Sequence, residues 1–338
     1  MFTAAIVGCG AIANVHAAAL KAMDNVKVIG CADIKPEKAK AMAEKLDCPA
    51  FTSLEEMLAA KKPDVLHICT PHHLHVPMAM EAIAQGIAVL SEKPEGITTQ
   101  QLNTLCDAEE KGARVGICFQ NRYNEAVEEA RLLMESGRTG QVKGVRAFVT
   151  WNRQANYYVN SGWRGSKETE GGGVMINQAI HTLDLIQYLC GYPLSVQGHV
   201  DNFHLQGVID VEDTATLYLT LPGNVPALMF ATTAYSVDSP VVLEIVCEEM
   251  VLRLEGNTLK LLDKHGQIEI TSAPVEYKKT NSVGKCYWGD GHPSLFRDYY
   301  HCLEEGKPFP IGAAEGAKAM RILLGLYESS QTGKAVTL

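Results

Sequence analysis

The sequence predicts an α/β fold for the N-terminal part of the chain and an α+β fold for the rest. The first part is expected to be a doubly wound parallel sheet, and the second an open, mainly antiparallel sheet. Apolar runs alternate with helical segments up to Cys118, and after Phe119 come long segments in which apolar and polar residues alternate. With 338 residues the chain is long enough for two domains. We place these domains at residues 1–120 and 121–338.

The first part repeats strand, turn and helix with short connections. A buried strand from Thr3 to Val7 leads into a helix from Ala11 to Met23, and Val26 to Ala32 forms the next strand. The later elements are strands at 64–69, 87–90 and 113–118, and helices at 75–85 and 98–111. Since successive βαβ units build a parallel sheet, we expect ligands at the carboxyl ends of its strands.

The second part reads as strands with few helices. The predicted strands are 142–151, 211–221, 227–235, 241–247, 250–255 and 258–263. A helix at 125–136 precedes them, another at 174–189 interrupts them, and two closing helices at 294–304 and 313–330 are expected to pack back on the body. A sheet with helices on one face follows from this pattern.

A glycine-rich turn joins the first strand to the first helix. Gly8 permits a sharp turn, and Gly10 lets a pyrophosphate approach the backbone. The helix that begins at Ala11 and Ile12 then directs its free N–H groups at the phosphates. Asp33 ends the second strand about 20 residues further on, where its carboxylate accepts hydrogen bonds from ribose hydroxyls. It would repel a 2′-phosphate, so we expect NAD as the cofactor and regard NADP as less favoured.

Composition narrows the class of partner. The formal net charge of −9 disfavours nucleic acid and anionic membranes. The chain lacks a signal-peptide pattern and any apolar run of about 18 residues, which favours a cytoplasmic protein. Its 10 cysteines are widely spaced and several lie in apolar runs, so we expect reduced core thiols and no metal centre.

The segment Ser91-Glu92-Lys93-Pro94 is the most specific motif in the sequence. Together with the glycine turn, the segment from Cys69 to His75 and the run from Gly171 to Asp184, it resembles the Gfo/Idh/MocA family. The resemblance implies a Rossmann domain and an antiparallel sheet domain, with substrate held between them against the nicotinamide. It also implies an NAD(P)-dependent oxidoreductase acting on sugars, cyclitols or sugar derivatives. A homodimer or homotetramer, assembled through the broad face of the second sheet, is implied as well.

Three residues are candidates for the chemistry. Lys93 matches the family's lysine that contacts the reacting hydroxyl, and the resemblance implies a cis peptide bond between Lys93 and Pro94. His181 matches the catalytic histidine, whose pKa near neutrality suits proton transfer. Asn177 stands where the family often has aspartate, on the same helix face as His181. Because an amide cannot take up a proton, this departure shifts weight towards Lys93 as the base.

Other residues are expected to bind cofactor or substrate. On the cofactor side the candidates are Thr70, Pro71, His72, His75, Glu92 and Lys93 itself. On the substrate side they are Arg122, Tyr123, Tyr157, Tyr158, Trp163, Arg164 and Asp184. For Asp184, a structural carboxylate is an equally good explanation. For the other substrate-side residues, the alternative is that their side chains only pack within their loops. The histidines from His72 to His75 are a poor metal site because no carboxylate is near in sequence.

Two alternatives stay open. Some family members are glycoside-cleaving enzymes that retain NAD and oxidise carbon 3 only transiently. The chain could also be a non-catalytic nucleotide-dependent regulator, since a fold does not guarantee chemistry. Accumulation of free NADH distinguishes a dehydrogenase from the first alternative. The presence of Lys93 and His181 argues against the second, which a Lys93→Ala variant with full biological activity would favour.

Overall fold

The computed structural model of the protein describes residues 1–271 and 291–338. These residues form two compact units. The first unit contains residues 1–120 and 291–317, and the second contains residues 121–271 and 318–338. Each unit is built around one sheet.

The sheet of the first unit has six parallel strands. They are β1 (Phe2–Val7), β2 (Val26–Ala32), β3 (Ala50–Phe51), β4 (Val65–Ile68), β5 (Ala88–Ser91) and β6 (Val115–Ile117). Their order in the sheet is β3-β2-β1-β4-β5-β6. The strand order reverses direction between β1 and β4, so the predicted doubly wound parallel sheet is confirmed. The C-terminal half of β1 is buried throughout, as expected for a strand covered on both faces.

Helices connect these strands. They are α1 (Ala11–Lys21), α2 (Pro36–Leu46), α3 (Leu54–Ala60), α4 (His75–Ile83) and α5 (Thr99–Glu110), with short 3₁₀ helices at His72–Leu74 and Gln120–Tyr123. The N-termini of α3 and α5 are capped by side chains. Ser53 Oγ accepts the N–H of Glu56 at 3.1 Å, and Thr98 Oγ1 accepts that of Gln101 at 3.2 Å. The Ser53 and Thr98 caps therefore fix where these two helices begin.

The second unit carries a nine-stranded sheet. Its strands are β7 (Val142–Thr150), β8 (Ser195–Asp201), β9 (Thr214–Leu221), β10 (Val225–Thr232), β11 (Val242–Cys247), β12 (Met250–Glu255), β13 (Thr258–Asp263), β14 (Ile268–Ile270) and β15 (Val336–Thr337). The order is β14-β13-β12-β11-β7-β10-β9-β8-β15. Only the β7–β10 pair is parallel among the described strands of this sheet, so the prediction of a mainly antiparallel sheet is confirmed.

Helices of the second unit lie on the sheet and in the loops between its strands. They are α6 (Glu125–Glu135), α7 (Ala155–Val159) and α8 (Ile180–Cys190), with a 3₁₀ turn at Pro222–Asn224. Helix α8 contacts β7, and α6 contacts β12 and β13. The single regular helix predicted for 174–189 is wrong in its first turn, because Met175–Ala179 is π-helical. Such turns often occur at functional sites.

Two closing helices complete the described chain. Helix α9 (Gly291–Glu304) packs on α1 in the first unit. Helix α10 (Ala313–Thr332) begins in the first unit and belongs to the second from Lys318 onward. The nine cysteines in the described segments are free, and five of them are buried, whereas Cys48, Cys106, Cys190 and Cys302 are partly exposed. Within those segments no helix is both long enough and apolar enough to cross a bilayer.

Several short elements had no predicted counterpart. The strand expected at 113–118 is shorter, and the strand expected from Val211 begins at Thr214. The elements without a prediction are α2, α3, α7, β3, β8, β14 and β15. Two of these strands have only two residues, too few to show an alternating pattern in the sequence.

Candidate functional site

The turn between β1 and α1 is tight at one glycine and open at the other. Gly8 has φ +84°, and a Cβ there would lie 2.6 Å from the carbonyl oxygen of Cys69 at the end of β4. A Cβ on Gly10 would meet nothing within 4 Å. The first glycine is therefore needed by the fold, while the second faces open space at the start of a helix.

Helix α1 has an N-terminus that no side chain caps. Gly10 is its N-cap residue, and the first turn, which begins Ala11-Ile12, contains no acidic residue. By contrast, α3 and α5 are capped by Ser53 and Thr98. Free N–H groups at a helix start, with open space in front of them, form a site for a phosphate group. The residues present thus fit the pyrophosphate of a dinucleotide.

Asp33 lies directly after β2 and is tied to the same turn. Its Oδ2 accepts the N–H of Cys9 at 2.8 Å, and its Oδ1 accepts the N–H of Lys35 at 2.8 Å. An ionised carboxylate has further lone pairs on both oxygens. Asp33 is therefore oriented by the backbone and keeps the capacity to accept ribose hydroxyls.

The loop after β4 carries the predicted residues from Thr70 to His75. Thr70 Oγ1 is buried and has no hydrogen-bond partner among the described residues. His75 is buried, with Nδ1 2.6 Å from the Pro94 carbonyl oxygen and Nε2 2.8 Å from that of Thr70. Burial lowers the pKa of His75, and these two carbonyls oppose that shift. His75 thus joins the β4 loop to the loop after β5, and Thr70 offers an unused hydroxyl. Pro71 and His72 lead into the 3₁₀ turn between these two residues.

Lys93 follows β5 and its peptide bond to Pro94 is cis, as the resemblance implied. Its side chain is half-buried, whereas its neighbours Glu92 and Pro94 are buried. This places the ammonium at the carboxyl end of the parallel sheet, where ligands of such sheets bind.

Glu92 belongs to a buried chain of hydrogen bonds that the sequence did not indicate. Its Oε1 lies 3.0 Å from His16 Nε2 and 3.4 Å from His292 Nε2. His16 Nδ1 lies 2.9 Å from His67 Nδ1, and His67 Nε2 lies 2.9 Å from the hydroxyl of Tyr300. All five side chains are buried. The predicted contact of Glu92 with the cofactor therefore competes with this internal network.

One arrangement of protons satisfies the chain from Tyr300 to Glu92. An ionised Glu92 accepts from His16 Nε2, so His16 Nδ1 accepts from His67 Nδ1 and His67 Nε2 accepts from the hydroxyl. Burial opposes ionisation of Glu92, but the hydrogen bonds from His16 and His292 hold its pKa well below the usual range. Burial also lowers the pKa of His16 and, more strongly, of His67. The chain from Tyr300 to Glu92 is thus an anion held through the neutral imidazoles of His16 and His67. His16, Glu92 and His292 also place three ligand atoms within 4.8 Å of one another, a spacing that could hold a metal ion.

In the second unit, Asn177 and His181 are partly exposed within a buried stretch. From Gly172 to Gln187 every residue except these two is buried. Asn177 lies in the π-helical turn, and His181 is the second residue of α8. That both residues meet one ligand stays a prediction.

Arg122 and Asp184 bind each other. Arg122 donates from Nε to Asp184 Oδ2 at 2.8 Å and from Nη2 to Oδ1 at 2.5 Å, and both side chains are buried. Gln187 donates to Asp184 Oδ1 at 3.1 Å, and the guanidinium lies over the ring of Tyr188. This bidentate pair supports the structural alternative for Asp184. Tyr123, next to Arg122 at the end of a 3₁₀ turn, is half-buried.

The predicted loop residues form an aromatic and basic cluster. The guanidinium of Arg164 lies 4.8 Å from the ring centre of Tyr157 and 4.6 Å from that of Trp163. Tyr158 instead packs in the core against Ile209, and its hydroxyl contacts Thr233 Oγ1 at 3.3 Å. Arg164 therefore stacks on Tyr157 and Trp163, and the ring of Tyr158 meets that of Tyr157 edge to face at 5.0 Å.

Glu170 is a buried carboxyl beside Asn177 that sequence reasoning missed. Its Oε2 accepts the N–H of Gly165 at 2.6 Å, and its Oε1 contacts Asn177 Nδ2. Burial raises the pKa of Glu170 to about 7, although the hydrogen bonds from Gly165 and Asn177 oppose this. Its position directly before the glycine run was the available signal.

Comparisons with known proteins agree with this architecture. Residues 2–119 match the model of the GFO/IDH/MocA oxidoreductase family with its NAD-binding Rossmann fold. Residues 127–253 match the model of the GFO/IDH/MocA C-terminal domain.

Named relatives are dehydrogenases. The chain is 31% identical to D-glucoside 3-dehydrogenase of Escherichia coli over 58% of its own length and 56% of that protein. It is 27% identical to glucose-6-phosphate 3-dehydrogenase of Bacillus subtilis over 54% of its own length and 52% of that protein. These alignments span about half the length of each relative.

A solved structure matches over almost the full length. The WlbA dehydrogenase from Bordetella pertussis, in complex with NADH and UDP-GlcNAcA, superposes with a TM-score of 0.86 and 26% identity. The match covers 100% of this chain and 98% of that one.

Proposed function

The chain belongs to the GFO/IDH/MocA family of oxidoreductases, and on that basis we propose that it is an NAD-dependent dehydrogenase of sugars, cyclitols or sugar derivatives. The observation that carries the proposal is the uncapped start of α1, open in front of Gly10, with Asp33 held 2.8 Å from the same turn. The relatives named above are dehydrogenases, and the WlbA structure contains NADH. They favour this function over a glycoside-cleaving enzyme or a regulator.

In the first unit, four groups are assigned to the cofactor. The N–H groups at Ala11 and Ile12 hold the pyrophosphate, and Asp33 accepts the ribose hydroxyls. The hydroxyl of Thr70, buried without a protein partner in the described segments, donates to the cofactor. Bound NAD would supply the hydride acceptor of the reaction. Glu92 holds the loop after β5, which carries Lys93, in place through its contacts with His16 and His292.

Oxidation of a carbinol releases a hydride and a proton, and the protein has to accept the proton. We assign this step to Nζ of Lys93, which follows β5 at the carboxyl end of the sheet. In the second unit, His181 is assigned to passing this proton on, and Asn177 to binding a hydroxyl, because a neutral amide does not titrate. Tyr157, Trp163 and Arg164 would supply stacking and hydrogen-bond donors for a sugar.

The substrate is proposed to be a glucose-configured pyranoside that is oxidised at its carbon 3 hydroxyl. Two relatives carry the name of a 3-dehydrogenase, one for glucosides and one for glucose 6-phosphate. The WlbA structure contains the nucleotide sugar UDP-GlcNAcA. These three ligand types differ at carbons 1, 2 and 6 and share the pyranose ring with its carbon 3 hydroxyl.

The test is a substrate panel read by the absorbance of NADH. Purified protein with NAD⁺ or NADP⁺ is incubated with glucosides, glucose 6-phosphate, UDP-GlcNAcA, free aldoses and inositols. We expect NADH to accumulate with at least one pyranoside and NADP⁺ to be the poorer oxidant. Release of the aglycone without net NADH would instead support the glycoside-cleaving enzyme, and binding of NAD without turnover of any compound would support the regulator.

A homo-oligomer is proposed through the face of the nine-stranded sheet that the described helices leave open. Leu228 on β10 lies opposite Tyr218 on β9, and both side chains are exposed. Phe230 lies opposite Phe148 on β7, which is exposed as well. Contiguous apolar residues on a sheet face are typical of a protein interface. A second copy of the chain is the partner that the family resemblance implies.

A further inference from the structure

Glu170 is a buried carboxyl to which the proposed chemistry gives no role. Only 1% of its surface is exposed, and it immediately precedes the glycine run that leads into the π-helical turn. Its Oε2 accepts the N–H of Gly165 at 2.6 Å, while its Oε1 contacts the side-chain amide of Asn177. The carboxyl is therefore fixed on one side by backbone and directed on the other at a candidate substrate-binding residue.

The contact decides which way the amide of Asn177 points. An ionised carboxylate only accepts hydrogen bonds, so Nδ2 of Asn177 has to face Glu170. The carbonyl oxygen Oδ1 is then turned away from Glu170. Asn177 and His181 are the two partly exposed residues of the stretch from Gly172 to Gln187.

We propose that Glu170 is a positioning residue that holds the Asn177 amide so that its carbonyl oxygen accepts a hydrogen bond from the substrate hydroxyl. This inference rests on the proposed function. Asn177 stands where the family often has aspartate, and an amide held in this way reproduces one acceptor oxygen of that aspartate. The negative charge that this aspartate would carry lies instead on Glu170, the buried neighbour of Asn177.

The groups around Glu170 set the pH at which its carboxyl ionises. Besides the hydrogen-bond donors Gly165 and Asn177, they include the charged Arg164 from the preceding loop and Glu212 from the segment before β9. Tyr157 and Tyr158 on α7 and Tyr327 on α10 complete its titratable surroundings. Burial raises the pKa of Glu170 to about 7, and Glu212 adds to the rise, while Arg164 opposes it. A protonated Glu170 donates its O–H, which turns the amide over and presents NH₂ instead of the acceptor.

The kinetic test exchanges the carboxyl and the amide. Glu170→Gln should lower kcat/KM for the sugar by about 10- to 100-fold and remove the part of the pH dependence near neutrality that arises from Glu170, with the KM for NAD⁺ unchanged. Asn177→Asp, which places two carboxyls together, should be similarly impaired. The double variant Glu170→Gln/Asn177→Asp restores one amide and one carboxylate, so we expect it to recover most of the activity. Glu168→Gln, at an exposed position, is the matched control and should behave as wild type.

A second measurement does not depend on turnover. In protein labelled with ¹⁵N-asparagine, the side-chain amide signal of Asn177, assigned from an Asn177→Ser variant, should shift as pH passes through about 7. The shift should be lost in Glu170→Gln. An unresponsive amide signal overturns the inference, and so does a Glu170→Gln enzyme with wild-type kcat/KM and pH profile. If no sugar is oxidised by the wild type, the proposed function fails and the amide titration alone decides this inference.

Discussion

At the scale of single residues, the two glycines of the nucleotide turn have separable roles. Gly8→Ala would place a Cβ 2.6 Å from the Cys69 carbonyl oxygen at φ +84°, so we expect it to lower the free energy of unfolding by about 1–3 kcal/mol or more. Gly10→Ala meets no protein atom within 4 Å and should cost less than about 1 kcal/mol. It should nevertheless weaken NAD binding, since its methyl group enters the space in front of α1.

Chemical denaturation and calorimetric titration with NAD⁺ check this pair. The two variants serve as controls for each other, because one changes the fold and the other the ligand site. Equal losses of stability in both variants would contradict the open space at Gly10, and undiminished affinity of Gly10→Ala for NAD⁺ would contradict the assignment of that space to the pyrophosphate.

Lys93 is the residue on which the proposed proton transfer depends. Lys93→Ala should reduce turnover by about 100-fold or more, the usual scale for loss of an acid or base. The dissociation constant of NAD⁺ should change little, because the pyrophosphate and ribose contacts are made by α1 and Asp33. Steady-state kinetics and NAD⁺ titration measure the two effects separately.

The control is Lys111→Ala, which removes an exposed lysine at the end of α5. It should retain both turnover and affinity. Undiminished turnover in Lys93→Ala would remove this amine from the mechanism and leave His181 as the candidate base.

At the scale of elements, the buried network should make stability depend on pH. Burial lowers the folded-state pKa of His67 and His16, so the unfolded chain takes up protons below about pH 6.5 that the folded chain refuses. Each imidazole then costs about 1.4 kcal/mol per pH unit as the pH falls further. Glu92, with a lowered pKa, adds stability above its unfolded value near 4.5 and loses it only below that value.

The double variant His67→Phe/Tyr300→Phe isolates one of these contributions. At about pH 7.5 it should be less stable than wild type by about 1–3 kcal/mol, because His16 loses its donor. At about pH 5.5 the difference should narrow, since the variant no longer pays the penalty at position 67. Urea unfolding at both pH values gives the comparison, and a difference that stays constant would show that His67 is not held neutral.

The elements and site residues that could be predicted from the sequence are those that form patterns between residues close together in the chain. The glycine turn, Asp33 and the Glu92-Lys93-Pro94 segment are local patterns, and the Rossmann sheet follows from them. The network from Tyr300 to Glu92 was not predictable, because its hydrogen bonds join residues 51 to 233 positions apart. The π-helical turn leaves no periodic signal, and the Glu170–Asn177 contact depends on how the glycine run folds.

At the scale of the whole molecule, the second unit supplies a large sheet of which the described helices cover one face. The face that carries Leu228, Tyr218 and Phe148 has no partner among the described residues. Leu228 and Phe230 lie two residues apart on β10, opposite Tyr218 on β9 and Phe148 on β7, so these apolar side chains form one continuous surface. Two copies of the chain could bury this surface against each other without a change in the nine-stranded sheet of either copy.

We therefore expect the wild-type protein to have a mass in solution that is a multiple of 36.8 kDa, and Leu228→Glu to lower that mass. Leu228 is 58% exposed in the single chain, so the substitution should alter the stability of the protomer by no more than about 0.5 kcal/mol. Leu132→Glu is the matched control, because Leu132 is 57% exposed but lies on α6. Analytical ultracentrifugation over a range of concentrations measures the masses. A wild-type monomer at every concentration, or equal dissociation in the two variants, would show that this face is not the interface.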